Sequence, residues 1–248
     1  MLSVSIVSHG QMPLVRNLLA DLQRHCAETQ LEVLLTINIP DADAVAPLDF
    51  AFPIRRMVND HPRGFGDNHN RAFGQARGTY FCVLNPDVRL QDNPFPALLV
   101  AAGDSQLGVV GPQVRRSDGV LEDSARAFPT PASIFAKALG LRRPVVVLPG
   151  PDGDADWIAG MCMVFSRATY AQLQGFDTRY FLYYEDVDIC CRLQLQGGRV
   201  RVISGAGIVH DAQRSSHRSL RYLRWHVASM FRFFLSPGYS GIRRRRPT

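Results

Sequence analysis

The alternation of apolar, strand-like runs with helix-like segments in the first half of the chain constrains the fold most. The runs cover residues 2–8, 31–38, 54–58, 79–85 and 107–114. Pro13 begins a helical pattern with leucines spaced by four, and further helical patterns cover about 66–76 and 93–103. Strands that alternate with helices in this way predict an α/β fold with a Rossmann-like, mostly parallel sheet flanked by helices.

Polar residues follow several of these strands directly. Ligands of parallel α/β sheets bind at the carboxyl ends of the strands, so these residues are candidates for a binding site. The candidates are Ser8, Asn38, Asn59, Asn85 and Asp87.

The second half of the chain has a mixed pattern. Residues 115–155 are rich in proline and predicted to be irregular, and 154–167 are strand-like. A helix is expected over 185–196, followed by two short strands in 199–204 and 206–210. No internal repeat or low-complexity linker interrupts the chain, which predicts one domain, residues 1–216, with an extension, residues 217–248.

The charge of the chain is uneven. Nine of the 28 basic residues follow Asp211, and no acidic residue does. The part up to Asp211 therefore carries 19 basic against 22 acidic residues, a net charge of −3, although the whole chain has +6. A strongly basic end favours contact with phosphate groups, either of lipid or of nucleic acid.

Cellular location is inferred from patterns that the sequence lacks. No apolar run approaches the roughly 18 residues of a membrane-spanning helix, and the first ten residues do not resemble a signal peptide. The five cysteines form no CxxC pair and lie in apolar runs, which favours buried free thiols. We therefore expect a cytoplasmic protein without a disulfide framework.

Three features offer chemistry, and each also has a structural interpretation. Asp87 in Asn-Pro-Asp is placed to hold a divalent cation, but the tripeptide is also typical of a turn. The acidic residues of 185–188 include a candidate general base, but acidic residues also stabilise helix N-termini. His210 could ligate a metal, although a lone histidine is more often structural.

The order and spacing of the motifs resemble a family-2 inverting glycosyltransferase of GT-A type, in the rhamnosyltransferase branch of bacterial cell-surface polysaccharide synthesis. The resemblance covers about residues 2–216. Its most specific part is D-W-x-x-G from Asp156, then G-F-D-x-x-Y-F-x-Y-Y-E-D-V-D-x-x-x-R from Gly175, and H-x-x-x-x-S from His210. The block N-x-x-x-x-G-F-G-x-N-x-N from Asn59 and the segment ARAFPT at 125–130 agree with it.

The resemblance implies roles for matching residues. Asp186 would be the catalytic base, and Asp87 and His210 would hold Mg²⁺ or Mn²⁺ against the donor diphosphate. Trp157 and Glu185 would contact the acceptor or a sugar. The residues around the nucleotide sugar would be Ser8, Asn38, Asn59, Gly64, Phe65, Asn70, Asn85 and Asp87.

Two positions depart from the family pattern. Asn85 stands where an acidic residue often precedes the metal-binding aspartate, so it cannot be a charged ligand. The second strand ends in Ile37-Asn38 rather than Asp-Asn, so the carboxylate that usually contacts the base is missing. The resemblance to the rhamnosyltransferase branch implies L-rhamnose from dTDP-rhamnose as the donor group, and the missing carboxylate bears on which base is bound.

The basic extension predicts an interfacial helix over 219–235, with an apolar stripe and an arginine-rich end, 243–246. The stripe comprises Leu220, Leu223, Val227, Met230, Phe231 and Phe234, with Trp225 and Phe233 expected on the polar side. We expect a protein peripheral on the inner face of the membrane, with a saccharide or polyprenyl-diphosphate-linked acceptor and an anionic lipid surface as partners. A helix packed on the core is the alternative for the extension.

Other classes of function also remain open. A catalytically inactive sugar-binding GT-A protein is one alternative, and a basic nucleic-acid-binding protein is another. No nucleic-acid partner is expected, because the main part of the chain is acidic and lacks a known nucleic-acid motif. A homodimer is compatible with the sequence.

Overall fold

The computed structural model describes residues 1–45, 48–104, 106–141, 153–210 and 220–245. The strands are β1 Leu2–Ser8, β2 Leu31–Ile37, β3 Ile54–Val58, β4 Tyr80–Leu84, β5 Val88–Arg89, β6 Leu107–Arg115, β7 Ala125–Arg126, β8 Asp154–Ala155, β9 Trp157–Ile158, β10 Cys162–Ser166 and β11 Arg199–His210. The helices are α1 Met12–His25, α2 Phe65–Phe73, α3 Phe95–Ala102, α4 Pro131–Ala138, α5 Arg167–Gln172, α6 Glu185–Leu195, α7 Leu220–Phe234 and α8 Pro237–Arg245, with a 3-10 turn at Ala42–Val45.

One large sheet organises the molecule, with the strand order β3-β2-β1-β4-β10-β6-β11-β5 and β8 attached to β11. The first four strands in this order are parallel, as are β6 and β11. Strand β10 is antiparallel to both of its neighbours. A separate ribbon is formed by β7 and β9. The expected α/β fold with a mostly parallel sheet flanked by helices is confirmed.

Both faces of the sheet are covered by helices, which explains why its central strands are buried and largely apolar. All seven residues of β2 are buried. One core cluster joins the sheet to α1 and α3, and includes Leu18, Leu22 and Phe95. The other joins it to α2, α5 and α6, and includes Phe81 and Tyr170. The carboxyl ends of β1, β2 and β4 are thereby held at one edge.

Several predicted boundaries are wrong, because short elements depend on distant partners. The region 115–155, expected to be irregular, contains β7 and α4 among its described residues, and the strand-like segment 154–167 is divided into β8, β9 and β10. The two predicted strands after residue 198 are one strand, β11, with a register shift between Ile203 and Gly207. Helices α5 and α8 were not predicted, and α8 contains Arg243–Arg245.

The C-terminal helix α7 has two different faces. Ser229 and Phe233 are buried against the domain, and Trp225 packs on Phe181 with ring centroids 4.6 Å apart. The expectation that Trp225 and Phe233 face the polar side is therefore wrong, because the aromatic segment before α6 provides their packing partner. The predicted stripe lies on the opposite side, where four of its residues are exposed: Leu220, Leu223, Val227 and Phe231.

Some sequence expectations concern the whole chain. All five cysteines are buried and unpaired, as predicted. Across the described ranges, no helix is both long and apolar enough to cross a membrane. The predicted domain boundary after residue 216 falls in 211–219, outside the described residues.

Candidate active site

Asp87 and His210 are brought together by pairing between strands. The antiparallel pair β5–β11 places His210 opposite Val88, the residue after Asp87. The two side chains consequently meet, with His210 Nε2 at 3.3 Å from Asp87 Oδ2. The structure thus joins two residues, 123 positions apart, that the sequence motifs suggested as metal ligands.

A third side chain completes this cluster. His210 Nδ1 lies 2.7 Å from Oε2 of Glu122, so each ring nitrogen faces a carboxylate. Burial would lower the pKa of His210, but the hydrogen bonds and charges of Asp87 and Glu122 outweigh it and raise the pKa to about 9. The cluster therefore favours a positive charge at its centre.

The residues of this cluster fit a divalent cation. Oδ1 of Asp87 is buried and has no hydrogen-bond partner among the described residues. A buried carboxylate oxygen without a partner is costly unless a cation or donor reaches it. Carboxylate oxygen suits Mg²⁺ and Mn²⁺, and an imidazole nitrogen is also a metal ligand.

Buried amides form a network at the ends of β2 and β3. Asn59 Nδ2 donates to Oδ1 of Asn38 at 2.8 Å and to Oδ1 of Asn68 at 2.7 Å. Asn38 Oδ1 also accepts the backbone N–H of Arg63 at 2.8 Å. The network fixes the loop before α2. Ser8 supports the same edge, because its hydroxyl accepts the N–H of Gln11.

The loop at Gly64 and Phe65 packs closely on the segment that precedes α6. A Cβ at Gly64 would lie 2.8 Å from the backbone oxygen of Phe181, so only glycine fits there. Phe65 N donates to that same oxygen at 2.9 Å. The Phe65 ring also lies against Gly160, where a Cβ would meet it at 3.1 Å. The loop at Gly64 and Phe65, which we expect to contact the nucleotide, is therefore a neighbour of the acidic helix α6.

Asp186 lies at the first turn of α6 and is half-buried. Its Oδ2 accepts the N–H of Gly160 at 3.1 Å, and its Oδ1 accepts that of Val187 at 2.8 Å. Burial raises the pKa of Asp186, and the backbone donors and Arg126 oppose this shift. An oriented carboxylate with a raised pKa suits a general base.

Glu185 is more deeply placed, with 5% of its surface exposed. Burial, followed by the negative charge of Asp186, raises its pKa well above the usual range. Its Oε2 has no hydrogen-bond partner in the described part of the chain. Asp188 is instead committed to an ion pair with Arg192 at 2.7 Å, which favours a structural role for it.

The backbone just before these carboxylates is strained. Tyr183 and Tyr184 both have positive φ, at 71° and 68°, a conformation that bulky residues adopt rarely. Such outliers persist only where the surroundings enforce them. Helix α7 enforces this backbone conformation, because His226 packs against both tyrosine rings and Phe233 packs on Tyr184.

The ribbon β7–β9 borders the acidic helix and positions Trp157. Trp157 is 8% exposed, and its indole N–H donates to the backbone oxygen of Ala127 at 3.0 Å. The guanidinium of Arg126 lies over this ring at 5.2 Å from its centroid. Arg126 also acts on the Asp186 carboxylate, so the ribbon brings a positive charge near the candidate base.

Asn70 and Asn85 lie at different parts of the site. Asn70 Oδ1 accepts from Phe176 N at 2.9 Å and from the Tyr170 hydroxyl at 2.8 Å, and its Nδ2 donates to Phe176 O. The Asn70 amide therefore holds the segment that directly follows α5. Asn85 lies on the metal side, and its backbone N–H donates to the oxygen of Met161, next to Gly160.

Sequence reasoning missed three residues of the site. Glu122 is 88 positions from His210, and no local pattern could indicate their contact. Asn68 is 1% exposed, and the amide spacing of the N-x-N motif was its only signal. Arg126 belongs to the segment ARAFPT, which contributed to the resemblance to the family but suggested no role for this residue.

Comparison with known proteins agrees with this geometry. The model of "Glycosyl transferase family group 2" matches residues 130–237. The rhamnosyltransferase WbbL of Escherichia coli is 25% identical over 246 residues, which cover 94% of this chain and 92% of that protein. An N-acetylglucosaminyl-diphospho-decaprenol L-rhamnosyltransferase of Mycobacterium tuberculosis is 28% identical, covering 97% and 85%.

Among solved structures, GalNAc-T7 with UDP, GalNAc and Mn²⁺ superimposes with a TM-score of 0.65 at 16% identity. The match covers 85% of this chain but only 43% of that longer one. The fold and the site define a glycosyltransferase of the GT-A type. Within this class, the chain is similar to family-2 enzymes and to their rhamnosyltransferases.

Proposed function

We propose that this protein is a metal-dependent, inverting rhamnosyltransferase. It transfers L-rhamnose from dTDP-rhamnose to a saccharide or a polyprenyl-diphosphate-linked acceptor during cell-surface polysaccharide synthesis. The observation that carries the proposal is the meeting of Asp87 and His210 at 3.3 Å beside a buried carboxylate oxygen without a described partner. The names of both bacterial relatives support rhamnose as the sugar, and the name of the mycobacterial relative supports a lipid diphosphate as the acceptor anchor.

The donor lies along the edge formed by the ends of β1, β2 and β4. The amide network of Asn38 and Asn59 keeps the Gly64-Phe65 loop in place to contact the nucleotide, with Ser8 supporting the same edge. Asp87 and His210 would hold Mg²⁺ or Mn²⁺, and the cation would supply positive charge against the diphosphate leaving group. Asn85 is next to this site, on the sugar side.

Asp186 accepts the proton of the acceptor hydroxyl while the hydroxyl oxygen attacks the anomeric carbon of the donor sugar. The bond from that carbon to the diphosphate oxygen breaks in the same displacement, and the configuration inverts. Gly160 and Val187 hold both carboxylate oxygens of Asp186, so the base is oriented before the acceptor binds. Glu185 and Trp157 border the acceptor side.

The exposed face of α7 supports the proposal that the protein acts at an anionic membrane surface. The apolar residues Leu220, Leu223, Val227 and Phe231 are exposed along one side of a helix that contains no acidic residue. Arg243–Arg245 lie close by in α8, and arginines near anionic lipid contribute about 1 kcal/mol each. The opposite face of α7 packs on Phe181 and Tyr184, just before Asp186, which supports an acceptor that approaches the base from this part of the molecule.

Binding of dTDP with and without Mn²⁺ tests the proposed metal role. Asp87→Ala should remove most of the increase in dTDP affinity that Mn²⁺ gives to the wild type, because the buried carboxylate is a ligand. Affinity measured in EDTA should change little. Asp60→Ala, an exposed carboxylate after β3, is the control. Equal Mn²⁺-dependent affinity in Asp87→Ala and the control would contradict the proposal.

A further inference from the structure

Glu122 has no role in the chemistry described above, yet its carboxylate is directed at a proposed metal ligand. It lies after β6, where Leu121 forms a bridge with Arg115 and the Glu122 N–H donates to Val114 O at 2.9 Å. The Glu122 side chain is 14% exposed, and that of His210 is 8% exposed. The contact is therefore largely shielded from water.

The two contacts of the imidazole differ in length. His210 Nδ1 is 2.7 Å from Glu122, whereas Nε2 is 3.3 Å from Asp87. Without a metal, a charged imidazolium can donate from both nitrogens, but an imidazole that ligates a metal is neutral and carries one N–H and one lone pair. The shorter contact fits the N–H on Nδ1, which leaves the lone pair of Nε2 on the side of Asp87. Two lone pairs facing each other there repel unless a cation lies between them.

We infer that Glu122 is a positioning residue that fixes the ring orientation and tautomer of His210, so that Nε2 is available to the metal ion. A carboxylate that accepts the second N–H of a ligating histidine raises the basicity of the ligand and orients its ring. This inference rests on the proposed function, because it assumes that Asp87 and His210 hold the metal. Glu122 itself does not contact the metal or the donor.

The test is Mn²⁺ affinity of the full chain with saturating dTDP, measured by calorimetry. Removal of such a carboxylate typically weakens metal binding roughly 10- to 100-fold, so Glu122→Ala should show a loss of this size. Glu122→Gln keeps an acceptor oxygen and should retain most of the affinity. Asp118→Ala removes a carboxylate from the same turn, where it pairs with Arg116, and should bind Mn²⁺ like the wild type.

A double-mutant cycle distinguishes positioning from general destabilisation. If Glu122 acts through His210, Glu122→Ala should have no further effect on Mn²⁺ affinity in a His210→Ala background. An equal loss in both backgrounds would overturn the inference. Glu122→Thr replaces Glu122→Ala in the cycle if the alanine variant does not fold.

The Mn²⁺-binding results distinguish failure of this inference from failure of the proposed function. If Asp87→Ala weakens Mn²⁺ binding but Glu122→Ala does not, the metal site stands and the role of Glu122 is overturned. If wild-type protein with dTDP binds no Mn²⁺, the proposed metal role and this inference both fail.

Discussion

Asp186 is the residue on which the proposed chemistry depends. Its two oxygens are oriented by backbone N–H groups, and burial raises its pKa. Asp186→Asn preserves the shape of the side chain but cannot accept the proton. We expect kcat to fall roughly 10²- to 10⁴-fold, the usual range for loss of a general base. Donor affinity should remain near that of the wild type.

The raised pKa also predicts a pH dependence. An acid with a raised pKa stays protonated, and therefore inactive as a base, to a higher pH than an ordinary aspartate. Wild-type kcat/KM should rise with pH through a limb that lies above the usual aspartate range, and Asp186→Asn should lack this limb. Near-normal turnover in Asp186→Asn would transfer the role to Glu185.

At the scale of elements, the two faces of α7 have separate roles. Phe233 is completely buried, whereas Phe231 is 57% exposed on the other face. Phe233→Ala should destabilise the protein by about 3–5 kcal/mol in denaturant unfolding, because it opens a cavity against Tyr184. Phe231→Ala should change stability by no more than about 0.5 kcal/mol.

Vesicle binding tests the exposed face of α7 separately. Phe231→Asp introduces a charge into the apolar stripe and should abolish cosedimentation with anionic vesicles while the fold persists. Ser240→Asp adds the same charge to an exposed position of α8 and should retain binding. Retained binding in Phe231→Asp would contradict membrane contact through this stripe.

The elements also show which parts of the fold a sequence can predict. Strands β1, β2 and β4 and helix α6 were predicted nearly to their ends, because their hydrophobic patterns are local and long enough to be distinctive. Strands β7 and β9 are two residues each, and their pairing with each other defines them. The apolar stripe of α7 was predicted, but the residues that face the domain depended on a distant partner, Phe181.

The same limit applies to the site. Asp87, His210 and Asp186 could be chosen from motif order, because each lies at a boundary of an element with a clear pattern: after β4, at the end of β11 and at the start of α6. The contact of His210 with Glu122 depends on how the segment after β6 approaches β11, and the Asn38–Asn59–Asn68 network depends on side-chain packing. The contact with Glu122 leaves no local signal in the sequence, and the N-x-N spacing is the only local signal for Asn68 in the network.

At the scale of the whole molecule, charge and architecture are consistent with a reaction at a surface. The part of the chain up to Asp211 has a net charge of −3, and all nine later charged residues are arginines. Helix α8 packs on the acidic helix α6, and Phe233 of α7 packs on Tyr184, the residue before α6. The basic extension is thus attached to the element that carries the proposed base.

Transfer of sugar from a panel of nucleotide sugars tests the central claim most directly. Purified protein is incubated with Mn²⁺, a polyprenyl-diphosphate-linked N-acetylglucosamine and one donor at a time, and the lipid product is identified by mass spectrometry. The account predicts that dTDP-L-rhamnose adds one deoxyhexose to the acceptor, and that Asp186→Asn forms little product. Absence of transfer from every nucleotide sugar, or equal product with Asp186→Asn, would contradict it.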